Sequence, residues 1–248
     1  MKTRLFICVC ILFSLLSCSS SEKEQLETAL AFADTNRAEL EKVLEYYKND
    51  SLKLKAAIYL IENMPLYYTY KGSDLDSLHI ALEQYAVSDS YDKHLEYLKR
   101  FPYRNLFKEY DAKVITSEYL IENIEYSFKV WRETPWGKYV SFDNFCEFIL
   151  PYRIKDEPLT HWKKNFYHRF KPVLDSLYQG TDVVEATSCL SNYATSLHWK
   201  YQNELTGPHL SAQLLLELQL GDCTSIADFG CYMLRSVGIP AGIDTYLW

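Results

Sequence analysis

Apolar residues return every three or four positions through most of the chain, a spacing that predicts helices. Between about Glu24 and Lys48 the stripe runs Leu26, Leu30, Ala33, then Leu40, Val43 and Leu44. Asp34-Thr35-Asn36 divides it into two helices. Asn49-Asp50-Ser51 forms a turn and cap. Leu52 to Asn63 is the next helix, with Leu54, Ala57, Ile58 and Ile61 on one face and Pro65 as its stop. Asp76–Tyr85 and Ser88–Arg100 give two more. These helices form a short antiparallel array without a fixed repeat period. Pro102–Asp111 reads as a loop. Ile115–Trp131 is a strong helix with Ser117 as its cap, and Leu120, Ile121, Ile124 and Phe128 form its stripe. Phe142–Leu150 fits a helix or a strand. Trp162–Leu177 is amphipathic, and Gly180 and Asp182 restart the chain into a helix from Val183 to about Tyr201. Ser211 caps a helix from Ala212 to Leu220.

The stretch Leu218–Ala241, LQLGDCTSIADFGCYMLRSVGIPA, differs in kind. Its helix runs from Cys223 to about Val237, where Gly238 and Pro240 end it. Asp222 is placed to cap the first turn. Cys223 then stands at the first helical position, where the helix dipole favours a thiolate. Its backbone N–H has no helical partner and is free to donate to an oxyanion. Arg235 suits the negative end of the dipole. Gly230, mid-helix, costs about 1 kcal/mol against Ala and implies a close helix approach. The alternating residues 242–248, GIDTYLW, read as a strand.

Gly221, Asp222, Cys223, Ala227, Leu234, Arg235, Gly238, Ile239, Pro240 and Ala241 resemble the core motif of the transglutaminase-like superfamily. The resemblance implies a papain-like fold and a Cys-His-Asp triad, with Cys223 as nucleophile. Against this stands a buried, inert thiol, the ordinary fate of a lone cysteine; Cys231 is read that way. In the family the histidine lies on a strand after the one ending near Trp248, and the aspartate further on. The sequence therefore reads as the front part of a longer protein, without turnover by itself. Trp199, Gln213 and Gln219 are open candidates for an oxyanion donor.

Charge and the N-terminus add a location. Lys2 and Arg4 precede an apolar run of 12 residues, Leu5–Leu16, too short to span a bilayer comfortably. Leu15-Leu16-Ser17-Cys18 resembles a bacterial lipobox, so Cys18 is the expected lipidated N-terminus, with an ordinary cleaved signal as the alternative. The formal charge is −7. Without Lys2 and Arg4 it is −9, since each carries +1. No basic patch stands out, which disfavours nucleic acid as a partner. Export permits disulfides; Cys146, Cys189, Cys223 and Cys231 remain, and a Cys146–Cys189 pair stays open.

Residues 151–162, PYRIKDEPLTHW, crowd charged and aromatic side chains between two prolines. Here Arg153 could clamp a substrate carboxylate, with Glu157 and Trp162 beside it; the alternative is a surface connector with solvated charges. His161 precedes the cysteine and does not suit the role of base. His198 and His209 lack metal-ligand spacing, and neither HExxH nor CxxC nor a Gly-rich phosphate loop occurs, so no metal or cofactor is expected.

The expected organisation is a signal peptide over 1–17, a helical region over 18–110, a helix and Pro-rich connecting region over 111–180, and the N-terminal part of a transglutaminase-like domain over 181–248. The fold class is mostly α, followed by the first half of an α+β papain-like domain. The expected function is an exported, lipid-anchored protein of the bacterial cell envelope. By resemblance, its full-length form would use Cys223 on amide or isopeptide bonds of a peptide, protein or glycopeptide. The alternative is a non-catalytic peptide- or glycan-binding scaffold.

Overall fold

A computed structural model describes residues 23–87, 105–202 and 207–244. The expected leader with Cys18, the helix expected over Ser88–Arg100 and residues 245–248 lie outside them. Helix α1 covers 23–32. A 3-10 turn, Asp34–Asn36, breaks the run as the polar triplet implies, and α2 follows over Arg37–Tyr46. α3 spans Ser51–Asn63, and Asp50 caps it by accepting from the Lys53 N–H at 3.1 Å.

Strand β1, Tyr68–Lys71, leads into α4, Ser73–Val87. β1 pairs antiparallel with β2, Phe107–Tyr110, in a register running from Tyr68↔Tyr110 to Lys71↔Phe107. The segment expected to be a loop thus carries a strand and then a 3-10 turn, Asp111–Lys113. Four residues are too few to show a period, and the partner strand lies far back in the chain.

α5 spans Ser117–Glu133 and is capped by Thr116, whose Oγ1 accepts from the Tyr119 N–H at 3.2 Å. Ser117, the expected cap, instead donates its N–H and hydroxyl to Glu39 of α2 at 2.8 and 2.7 Å. The ambiguous segment is a helix, α6, over Phe142–Phe148. α7 is Trp162–Leu177.

α8, Val183–Ser196, is capped by Asp182. It stops short of Tyr201 because Lys200–Tyr201 forms β3, parallel to β4 at Leu220–Gly221. Between them α9, Ala212–Leu218, starts at the Ser211 cap and ends on Gln219 in the left-handed region at φ 48°. α10 covers Cys223–Ser236. Residues 242–244, the described start of the expected last strand, form no strand.

The chain is mostly helical, with two small two-stranded sheets among the described residues. Two buried clusters organise it. The first joins α1, α2, α3, α5 and α6 around Leu40, Ile61, Ile124 and Phe145. The second joins α4, α7, α8, α9 and α10 around Leu82, Phe166, Leu215 and Phe229. The stretch 111–180 is shared between them, α5 lying in the first and α7 in the second. α7 and α10 meet through aromatic rings: Trp162 and Tyr232 centroids lie 4.7 Å apart, and Phe166 and Phe229 5.5 Å apart. Burying one such ring contributes about 1.5–3 kcal/mol.

Arg153 ties the clusters together. Its Nε and Nη2 donate to the Asp111 carboxylate at 2.7 and 2.6 Å, and Nη2 also reaches Thr69 Oγ1 of β1 at 2.9 Å. Its Nη1 donates to the Glu157 carbonyl at 2.6 Å, and its own carbonyl accepts from Arg235 of α10 at 3.3 Å. Both side chains of the Arg153–Asp111 pair are 1% exposed. Burial opposes the guanidinium charge, but Asp111 and Glu157 outweigh it and hold Arg153 above its ordinary range.

Breaking a buried pair leaves an uncompensated charge, which costs about 3–5 kcal/mol. Arg153→Met should lower unfolding free energy by about that much in urea titration. A loss under about 1 kcal/mol, the worth of an exposed pair, would contradict this role.

Candidate functional site

The head of α10 is assembled locally. β4 delivers Gly221, where any Cβ would overlap the Ser225 side chain. Glycine therefore lets the strand turn sharply into the helix. Asp222, in extended conformation, then caps it: Oδ1 accepts from the Ser225 N–H at 2.9 Å and from the Ser225 hydroxyl at 3.0 Å. The first intrahelical bond runs from the Ile226 N–H to the Asp222 carbonyl at 3.1 Å. The N–H groups of Cys223 and Thr224 stay outside that ladder, as first-turn donors do.

Cys223 is a free, exposed thiol at the first position of α10. It begins an outward stripe with Ile226, 40% exposed, Ala227 and half-buried Gly230. A Cβ on Gly230 would meet nothing within 4 Å. The close helix approach expected there is absent among the described residues, because Gly230 faces outward.

The other cysteines contrast with it. Cys146 and Cys231 are buried, and burial pushes the Cys146 thiol up to about 12 and raises that of Cys231 too. Cys231 is a core thiol, as its place on the inner face implies. Cys189 is half-buried and all four are unpaired, so the Cys146–Cys189 bridge is not formed.

The PYRIKDEPLTHW segment turns inward. Arg153 is occupied by Asp111 and cannot clamp a substrate carboxylate. The Glu157 carboxylate accepts from the N–H groups of Ile154 and Lys155 at 2.6 and 2.7 Å. Trp162 is buried, with Nε1 donating to the Tyr152 carbonyl at 2.7 Å. All three expected substrate contacts are structural, because each finds its partner within the fold. Lys163 beside them is also buried and donates to Ser127 Oγ and to the Ile149 and Leu150 carbonyls at 2.6, 2.7 and 3.1 Å.

The oxyanion candidates fare similarly. Gln213 accepts from Asn165 at 2.8 Å and donates to Glu217, Gln219 ends α9, and Trp199 packs edge-on to Phe229 at 4.9 Å. The Cys223 N–H remains the donor best placed for an oxyanion at that sulfur.

One pair escaped the sequence reading. His209 Nδ1 lies 2.7 Å from Asp228 Oδ2, on the first half of α10. The His209 N–H donates to Asp156 at 3.0 Å, which fixes the loop that carries it. Burial opposes charge on His209, yet the Asp228 carboxylate outweighs it and raises the imidazole above its ordinary value. The available signal was Asp228 itself, a carboxylate on the face shared with Tyr232 four residues later.

Histidines with described hydrogen bonds are committed elsewhere. His161 meets Glu122, His168 meets Tyr126 and His209 meets Asp228, so none of these three is held to the thiol.

Native-state titration with a disulfide reagent should modify Cys223 before Cys146 and Cys231, and Cys223→Ala should remove the fastest phase. An unchanged fast phase would contradict the placement. NMR titration should put the His209 imidazole above about 6.5, its ordinary value, and Asp228→Asn should lower it. The stability this contact adds through the raised imidazole is complete below that ordinary value and is lost as pH rises through the folded one. The stability gap between parent and Asp228→Asn should therefore be larger below about pH 6.5 than at pH values well above it.

The family model described as the transglutaminase-like superfamily matches residues 175–246. That span runs from the end of α7 through α8, α9 and α10, and includes Gly221, Asp222 and Cys223. No curated protein and no solved structure matches the chain.

Proposed function

We propose that the chain is an exported protein, lipid-anchored through Cys18, whose transglutaminase-like region uses Cys223 to attack amide or isopeptide bonds. The supporting observation is the exposed thiol at the capped head of α10, inside the matched residues. The sulfur forms a bond to the substrate carbonyl carbon, and the carbonyl electrons move onto oxygen. The Cys223 N–H donates to that oxyanion. Collapse of the adduct breaks the C–N bond, and the leaving amine takes the proton lost by the thiol. Water or a second amine then attacks the thioester and releases the sulfur.

The proton carrier implied by the resemblance is a histidine, a role that the hydrogen-bonded His161, His168 and His209 do not fill. With those three histidines held by other partners, a second reading is a peptide- or glycan-binding scaffold that keeps the shape without the chemistry.

Labelling with a chloroacetamide peptide, an electrophile that mimics an amide substrate, separates nucleophile from bystander. The parent should be labelled at Cys223, and Cys223→Ala should lose the label. Equal labelling of Cys223→Ala would sink the nucleophile assignment.

A further inference from the structure

His209 and Asp228 stand 19 positions apart, and their 2.7 Å contact closes a length of chain that contains α9, β4 and the head of α10 with Cys223. Two further links tie that length down at its start. The His209 N–H donates to Asp156 of the Pro-rich loop at 3.0 Å, and Ser211 caps α9 by accepting from the Leu214 N–H at 3.2 Å. The two side chains differ in access: Asp228 is 2% exposed and His209 16%. The carboxylate is sealed in the fold, whereas the imidazole can exchange its proton with solvent.

Charge around the pair is one-sided. Asp228 faces the imidazole from α10, and Asp156 and Glu157 face it from the Pro-rich loop. Asp222, also on α10's side, acts on Asp228. On the α4 side stand Leu78 and Leu82, which carry no charge. A carboxylate this buried depends on a matched donor. The charged imidazole supplies a charge-assisted hydrogen bond, roughly twice as strong as a neutral one. Losing the proton leaves Asp228 with the weaker bond and no counter-charge. Burial also raises the Asp228 carboxyl, with His209 opposing the rise. The charged pair is therefore complete only above the carboxyl value and below the imidazole value.

We propose that His209 and Asp228 form a proton-operated latch on the segment that presents Cys223, closed when the imidazole is charged and loosened when it is neutral. The loosened state is a local opening of residues 207–218. α10 itself stays anchored, because Phe229 and Tyr232 remain packed against Trp162 and Phe166 of α7. The latch stands on these contacts and holds whether or not Cys223 performs chemistry.

Hydrogen exchange of the full chain tests it, read by mass spectrometry from about pH 6 to about pH 9, across the imidazole range, and corrected for the intrinsic exchange rate. Protection over residues 207–218 should fall by about fivefold as the imidazole loses its proton, the difference between a charge-assisted and a neutral hydrogen bond. α3, Ser51–Asn63, belongs to the other cluster and should keep its protection. His209→Gln can still donate to Asp228 but does not titrate, so its protection over 207–218 should stay level with pH. Asp228→Asn removes the counter-charge, and its fall should shrink to under about twofold. If one variant fails to fold, the other and the α3 comparison decide. No fall in the parent, a fall shared equally by α3, or a full fall persisting in His209→Gln or Asp228→Asn would overturn the proposal.

Discussion

A buried guanidinium held by one carboxylate sets the terms for this fold. Asp111 lies just after β2, beside Ala112 of the first cluster, while the Arg153 backbone carries the loop that leads into α7 and the second. Their bidentate contact closes a long loop, and the remaining Arg153 donors are used by Thr69, Lys155 and Glu157. A charge this deeply buried is tolerated only when almost every donor is matched. The network therefore favours one arrangement of β1, β2 and the Pro-rich loop over others. Through the Arg153 carbonyl it also reaches Arg235, which donates to the Ala241 carbonyl at 2.9 Å and so fixes the exit of α10.

α10 is consequently held from behind and along its inner face while its head stays open. Trp162, Phe166 and Phe170 pack against Phe229 and Tyr232. Gly238, at φ 76°, brings the chain so close to α5 that a Cβ would stand 2.6 Å from the Val130 carbonyl oxygen. Trp136 Nε1 donates to the Gly238 carbonyl at 2.8 Å. With the helix axis fixed in this way, the cap at Asp222 places Cys223 in one position. Rigidity behind Cys223 and openness in front of it let the thiol meet a large partner.

What was legible in the sequence was what local physics decides. Trp162–Leu177 has a long apolar stripe and its bounds follow from it. Asp50, Asp182, Ser211 and Asp222 all cap the helices they precede, because a cap depends on residues within one turn. The motif around Cys223 is equally local, and Gly221 explains why it begins with glycine. Longer-range pairings were not legible. Arg153 meets Asp111 across 42 positions, so a segment that looks solvated is in fact core. β2 finds β1 from more than 30 residues away, and His209 meets Asp228 across α9 and β4, at no helical spacing. Spacing rules see one element at a time, and each of these contacts joins two.

The central claim is that the α10 head presents a sulfur able to take an acyl group. Incubation with an activated acyl ester followed by proteolysis and mass spectrometry tests it directly. The account predicts an acyl mass on the Cys223 peptide that hydroxylamine removes, as it does a thioester. Acylation confined to other residues, or none at Cys223 while the ester is consumed, would contradict it.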